Sequence, residues 1–134
     1  MSVIEWKDEY SVNHEIIDEQ HKKLIDMINE LNRAMEMKSG GSVIDSIMKE
    51  LSDYTFYHFS FEESYMEKIG FPEFEEHRGC HEKLRKKVYD IFNHFYTDQT
   101  VTQKDIYGFL KDWWIGHILE KDQCYKKFAE SKSE

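Results

Sequence analysis

Four stretches of the chain repeat apolar residues every three to four positions, the spacing of one face of an α-helix, and histidine or carboxylate interrupts each stripe. The second stretch shows this most plainly. Its face runs Ile44, Ile47, Leu51, Tyr54, His58, Phe61, Glu62, Tyr65, Ile69, so the pair His58 and Glu62 falls in mid-stripe. An amphipathic helix buries that face, and a buried ionisable group is costly unless it is paired or bound. The fold must therefore bring four such faces together and satisfy the polar groups caught between them.

The first stretch carries Leu24, Ile25, Ile28, Leu31 and Met35, and stepping back three positions lands on His21. Asp18, three residues earlier, is the expected N-cap. The third reads Phe74, His77, His81, Leu84, Val88, Phe92, Phe95. Breaks are expected at Gly40-Gly41, at Gly70-Phe71-Pro72 and in the polar run from Thr97 to Gln103. Helices of about 20 residues joined by short connections favour antiparallel neighbours. The expected fold is all-α, an up-down-up-down antiparallel four-helix bundle over 18–130, preceded by an arm (1–17) that Trp6 anchors. One domain is expected over 1–134, a length suited to a single core.

The fourth stretch begins Ile106, Leu110, Trp113, Trp114, His117 and then slips. Four residues past His117 stands Lys121, while the apolar spacing resumes through Ile118, Asp122, Tyr125 and Ala129. A five-residue step on a regular helix overshoots a full turn by about 140°, so His117 and Asp122 would not converge. The spacing predicts a π-bulge or local unwinding between them, a distortion frequent at functional sites.

A formal charge of −9 argues against nucleic acid or an anionic membrane as partner, because both require clustered Lys and Arg. Lys83, Arg85, Lys86 and Lys87 read as the wet face of a helix. The first thirty residues carry charges throughout and no apolar run approaches about 18 residues, so neither a signal peptide nor a membrane span is expected, and the reading is cytoplasmic. Without an evident exposed apolar stripe, a monomer is expected. Cys80 and Cys124 are too few for a disulfide framework and read as buried or partly buried free thiols.

The inward-facing ionisable residues are His21, His58, Glu62, His77, His81, His117 and Asp122. Facing helices of a bundle are a known place to build a metal site from such residues. Seven side chains exceed the needs of one octahedral ion. With two octahedral ions, the imidazoles, two bridging carboxylates and one bridging oxide or hydroxide fill all positions but one. Mixed imidazole and carboxylate ligation suits iron, while the lack of inward cysteine argues against iron–sulfur or thiolate zinc. Carboxylate-rich di-iron sites carry Glu-x-x-His on two helices. No histidine here has Glu three residues before it, so oxygen carriage is the better expectation than oxygen splitting.

The set Ile17-Asp18-x-x-His21-Lys22, His58-x3-Glu62, His77-x3-His81 and Trp113-x3-His117-Ile118-x3-Asp122 resembles the hemerythrin family, and its single-domain bacterial members in particular. The likeness runs from Trp6 to Tyr125. It implies a four-helix bundle around two non-haem irons with a bridging oxide or hydroxide, binding dioxygen reversibly for storage, delivery or scavenging. It further implies that His77, His81 and His117 complete one iron, that His21 and His58 hold the other, that Glu62 and Asp122 bridge, and that dioxygen enters on the iron of His21 and His58. No catalytic turnover is expected. The alternatives are an oxygen or redox sensor, or a peroxide or nitric oxide reductase, using the same site.

One position departs from the family's habit. Trp114 stands where the family most often has leucine, and at three residues before His117 it is expected over the oxygen side of that histidine. It either narrows access and offers an indole N–H to the bound species, or only fills core volume. His14 and His94 read as surface residues, and Met27, Met35, Met48 and Met66 as core packing. Glu63 and Asp18 are the expected partners of the imidazole N–H groups facing away from the metals.

Overall fold

A computed structural model of the chain describes residues 4–38, 40–97 and 102–132. A short 3-10 turn, Asp8–Tyr10, lies in the arm. Helices α1 (Glu15–Glu36), α2 (Gly41–Ile69), α3 (Phe74–Thr97) and α4 (Gln103–His117) follow, and a π-helical turn, Ile118–Asp122, joins α4 to α5 (Gln123–Lys132). The rod from α4 through α5 acts as the fourth helix of the bundle. α1 packs on α2 and α4, and α3 packs on the same two, which closes the expected four-helix square. Among the described residues no helix is long and apolar enough to cross a membrane.

The helix ends follow local chemistry. Gly70 adopts φ +70, a left-handed conformation that glycine enters without Cβ strain. There its N–H and that of Phe71 return to the carbonyls of Glu67 and Met66, and the buried Phe71 closes the motif. Thr102 caps α4 by accepting from the Asp105 N–H, and Asp105 accepts from the Thr102 N–H in return. The break expected between Thr97 and Gln103 falls largely on residues 98–101, outside the described residues.

The start of α1 departs from expectation. It begins at Glu15 with His14 as its cap, the imidazole Nδ1 accepting from the Ile17 N–H at 3.2 Å. Asp18 is inside the first turn and turns back to the arm, accepting from the Ser11 hydroxyl at 2.6 Å and the Val12 N–H at 2.9 Å. An imidazole acceptor can cap as a hydroxyl does, which frees the carboxylate to tie down the arm. His14 is accordingly half-buried, its ring edge-on to Tyr65 and Phe61, rather than a surface residue; His94 is exposed. Trp6 is half-buried against the core, but Ile4, Tyr10 and Val12 are the buried anchors, with Ile4 bonded through its backbone to Asn29.

Two apolar clusters fill the bundle. The larger is built on Leu24, Ile28, Leu31, Met48, Leu51, Ile106, Leu110, Trp114 and Ile118, and the smaller on Val12, Ile17, Met66, Phe71 and Tyr125. Along each helix the inward polar residues fall between members of the two clusters: Ile17, His21, Leu24 on α1, and Leu51, His58, Glu62, Met66 on α2. The polar layer is therefore sealed above and below by packed hydrocarbon. On α2 the buried face includes Thr55, Phe59 and Met66, whereas Tyr54, Phe61, Tyr65 and Ile69 lie at its half-buried edge. A stripe counted in steps of three and four drifts around a helix of 29 residues, so the expected face was turned slightly from the true one.

Candidate metal centre

Each helix delivers its polar residues by ordinary helical spacing except the fourth. His58 and Glu62 share a face at i and i+4 on α2, as do His77 and His81 on α3. His117 ends α4, and the π turn that follows absorbs the extra residue, so that Asp122 returns to the same face. His117 Nε2 then lies 3.0 Å from Asp122 Oδ1, the convergence that the slipped register demanded.

All seven sequence-derived residues meet in this layer, and all are buried. The donor atoms sort into two groups. Nε2 of His77, His81 and His117 surround Glu62 Oε1 and Asp122 Oδ1, with distances of 3.3 and 3.0 Å from His77 and His81 to Oε1, and 3.2 and 3.0 Å from His77 and His117 to Oδ1. Nε2 of His21 and His58 face the other oxygens: His21 lies 3.5 Å from Glu62 Oε2 and 3.3 Å from Asp122 Oδ2, and His58 lies 3.3 Å from Glu62 Oε2. Each carboxylate thus presents one oxygen to each group. Within the groups, His81 and His117 bring their Nε2 atoms to 3.2 Å, and His21 and His58 to 3.1 Å. Metal–nitrogen bonds of about 2.1 Å at right angles set adjacent donors about 3 Å apart, so these spacings suit donors gathered on one ion.

Unsatisfied atoms and charge point the same way. Glu62 Oε1, both Asp122 oxygens and His77 Nε2 are buried with no hydrogen-bond partner among the described residues. Burial pushes the histidines down, yet the neighbouring carboxylates of Asp122 and Glu62 override it and raise His21 to about 9 and His77 to about 10. His81 is also raised against burial, by Glu62 and Glu63. At His58 burial dominates and holds it down against the pull of Glu62. Both carboxylates are lowered although burial opposes it, Glu62 by His58 first and Asp122 by His117 first. Two buried anions are calling for positive charge, and without a metal only protons on imidazole supply it. The donor set fits two metal ions with bridging carboxylates.

Further residues hold the ligands. Glu63 Oε2 accepts from His81 Nδ1 at 2.8 Å, and Phe59 stacks on the same ring at 4.0 Å. Gln20 Oε1 accepts from His58 Nδ1 at 2.7 Å, and the Tyr125 hydroxyl donates to Glu62 Oε2 at 2.8 Å. Glu63 was legible from its position; Asp18 is engaged with the arm and plays no such part. Gln20 carries no signal in the sequence, and the place of Tyr125 on the stripe three residues past Asp122 does not reveal its bond to Glu62. Trp114 is fully buried and edge-on to His21 at 5.1 Å and His58 at 5.9 Å, so it covers the two-histidine group rather than His117. Its indole N–H has no hydrogen-bond partner among the described residues.

Cys80 is half-buried, and Cys124 is exposed rather than buried, its thiol donating to the Glu120 carbonyl. Both line a surface pocket of about 180 Å³ that reaches His77.

The hemerythrin HHE cation binding domain matches residues 12–129 of the chain. Similar proteins include the bacteriohemerythrin of Stenotrophomonas maltophilia, 33% identical, the match covering 93% of this chain and 80% of that one. The bacteriohemerythrin of Clostridium acetobutylicum is 34% identical, with 90% and 96% covered. A crystal structure of wild-type hemerythrin superposes with a TM-score of 0.83 at 30% identity, covering 94% of this chain and 97% of that one. With the bundle, the π turn and the seven converging histidine and carboxylate side chains in place, this chain belongs to the hemerythrin family, whose members hold a di-iron centre and bind dioxygen.

Proposed function

We propose that His21, His58, Glu62, His77, His81, His117 and Asp122 hold two non-haem irons with a bridging oxide or hydroxide. The chain then binds dioxygen reversibly for storage, delivery or scavenging, without catalytic turnover. The observation that carries this reading is the division of Glu62 and Asp122, each with one oxygen in the three-histidine group and one in the two-histidine group. Two ferrous ions supply the pair of electrons on which reversible binding draws.

The chain's residues do the rest. Among the described residues His77, His81, His117, Glu62 and Asp122 gather at one position, but His21, His58 and Glu62 at the other, with Asp122 Oδ2 3.3 Å from His21, so an ion held there would have fewer protein donors. Dioxygen belongs on that side. There the fully buried Trp114 lies edge-on to the His21 and His58 rings, excluding the water and protons that would turn reversible binding into oxidation. Gln20 fixes the His58 ring, and Tyr125 fixes Glu62.

The test is the visible absorption spectrum of the reduced, iron-loaded chain before air, after air and after evacuation. A charge-transfer band that comes with air and leaves under vacuum is the expected result. An irreversible ferric spectrum, or sustained turnover of peroxide or nitric oxide with an electron donor, would overturn carriage in favour of a redox enzyme or sensor.

A further inference from the structure

The two groups of ligands differ in what stands behind them. His81 Nδ1 donates to a carboxylate, Glu63, at 2.8 Å, whereas His58 Nδ1 donates to the neutral amide oxygen of Gln20 at 2.7 Å. Both acceptors lack a proton to give, so the direction of each bond is settled by the partner. A carboxylate draws the Nδ1 proton away from the ring and makes the opposite nitrogen a stronger donor, and an amide does so more weakly. His21 Nδ1 has no hydrogen-bond partner among the described residues.

The bridging carboxylate Glu62 shows the same bias. Tyr125 donates to Oε2, the oxygen that faces His21 and His58, and withdraws electron density there. Oε1, facing His77 and His81, has no hydrogen-bond donor and keeps its full basicity toward a metal. Arg85 tempers Glu63 from 3.4 Å but is shared with Glu82 and is farther from Glu63 than His81 is. Glu63 and Tyr125 act in one direction; Gln20 opposes them only weakly, and the bare His21 nitrogen receives no such push.

We propose that Glu63 and Tyr125 make the two metal positions electronically unequal. The position held by His77, His81 and His117 is the easier to oxidise, and the one-electron-oxidised protein keeps its ferrous ion beside His21 and His58. Glu63 is a positioning residue acting through His81, since hydrogen bonding behind a ligand is one of the levers a protein has on a metal's potential. The inference rests on the di-iron reading above.

The test is a potentiometric titration of the full, iron-loaded chain with ferricyanide, which takes one electron from the di-ferrous protein and becomes ferrocyanide. The mixed-valent form is followed by electron paramagnetic resonance. Glu63→Gln keeps an acceptor for His81 but removes its charge. It should make the first oxidation about tenfold less favourable, a rise of roughly 59 mV for one electron. Gln20→Glu adds the charge behind the other group, so it should ease oxidation by a similar factor and split the mixed-valent signal into two species. Glu63→Gln with two irons bound and an unmoved potential would overturn the proposal. Should that variant lose iron, Gln20→Glu decides, and a single unshifted species there overturns it as well. Wild-type protein that fails to take up two irons would instead sink the di-iron reading, a result visible in metal analysis before any titration.

Discussion

The two groups of metal ligands share donor types but not surroundings. The three-histidine group backs onto the surface: a pocket bearing Glu73, Glu76, Lys121 and both cysteines reaches His77. The two-histidine group is sealed, with His21, His58 and Trp114 all at 0% exposure. The difference teaches that like donors within one polar layer can be given unlike access to solvent: one side meets it at His77, while the other is enclosed by the core and covered by Trp114.

The largest effect should come from a residue that serves both groups. Glu62→Ala removes an oxygen ligand from each, and iron content should fall from two per chain to well below one, whereas His58→Ala should leave about one iron in the three-histidine group. Metal analysis after desalting checks both, and equal losses in the two variants would break the comparison. Next in size is the metal-free chain's response to pH. His21, held at about 9, and His77, at about 10, stabilise the fold fully below their unfolded value near 6.5, and that contribution disappears as pH rises through 9 and 10. Thermal unfolding of the metal-free chain should therefore move down between pH 7 and pH 10, by on the order of 10 °C. The iron-loaded chain should not follow, since metal occupies the same nitrogens.

Trp114→Leu opens space beside His21 and His58. It should cost about 2 kcal/mol of stability and shorten the lifetime of the oxygenated form in air. Circular dichroism melting and the decay of the visible band measure the two; an unchanged decay would reduce Trp114 to a core filler. The smallest effect is expected on the open side. Cys80→Ser and Cys124→Ser should leave iron content and spectrum unchanged, and a lost iron in either would show that the pocket shapes the three-histidine group.

Much of this was legible in the chain because a helix converts sequence spacing into direction. His58 and Glu62, or His77 and His81, can point to one place only if they lie three or four residues apart. The failed step from His117 to Lys121 foretold the π turn for the same reason, read in reverse. What was misread had competing local solutions. Asp18 and His14 are both able to serve the first turn of α1, and nothing in their spacing says which caps and which ties down the arm. Gln20 escaped because an uncharged side chain next to a ligand in sequence gives no sign of the helix opposite.

The sequence by itself determined four helices, seven inward polar residues and the place where the fourth helix must distort, since these depend on periodicity within single segments. Only the tertiary structure decided which oxygen of Glu62 and of Asp122 faces which group of histidines, and where Trp114, Glu63, Gln20 and Tyr125 come to rest. Those are relations between helices. They depend on the rotation and depth at which whole faces pack, and no spacing within one helix encodes them.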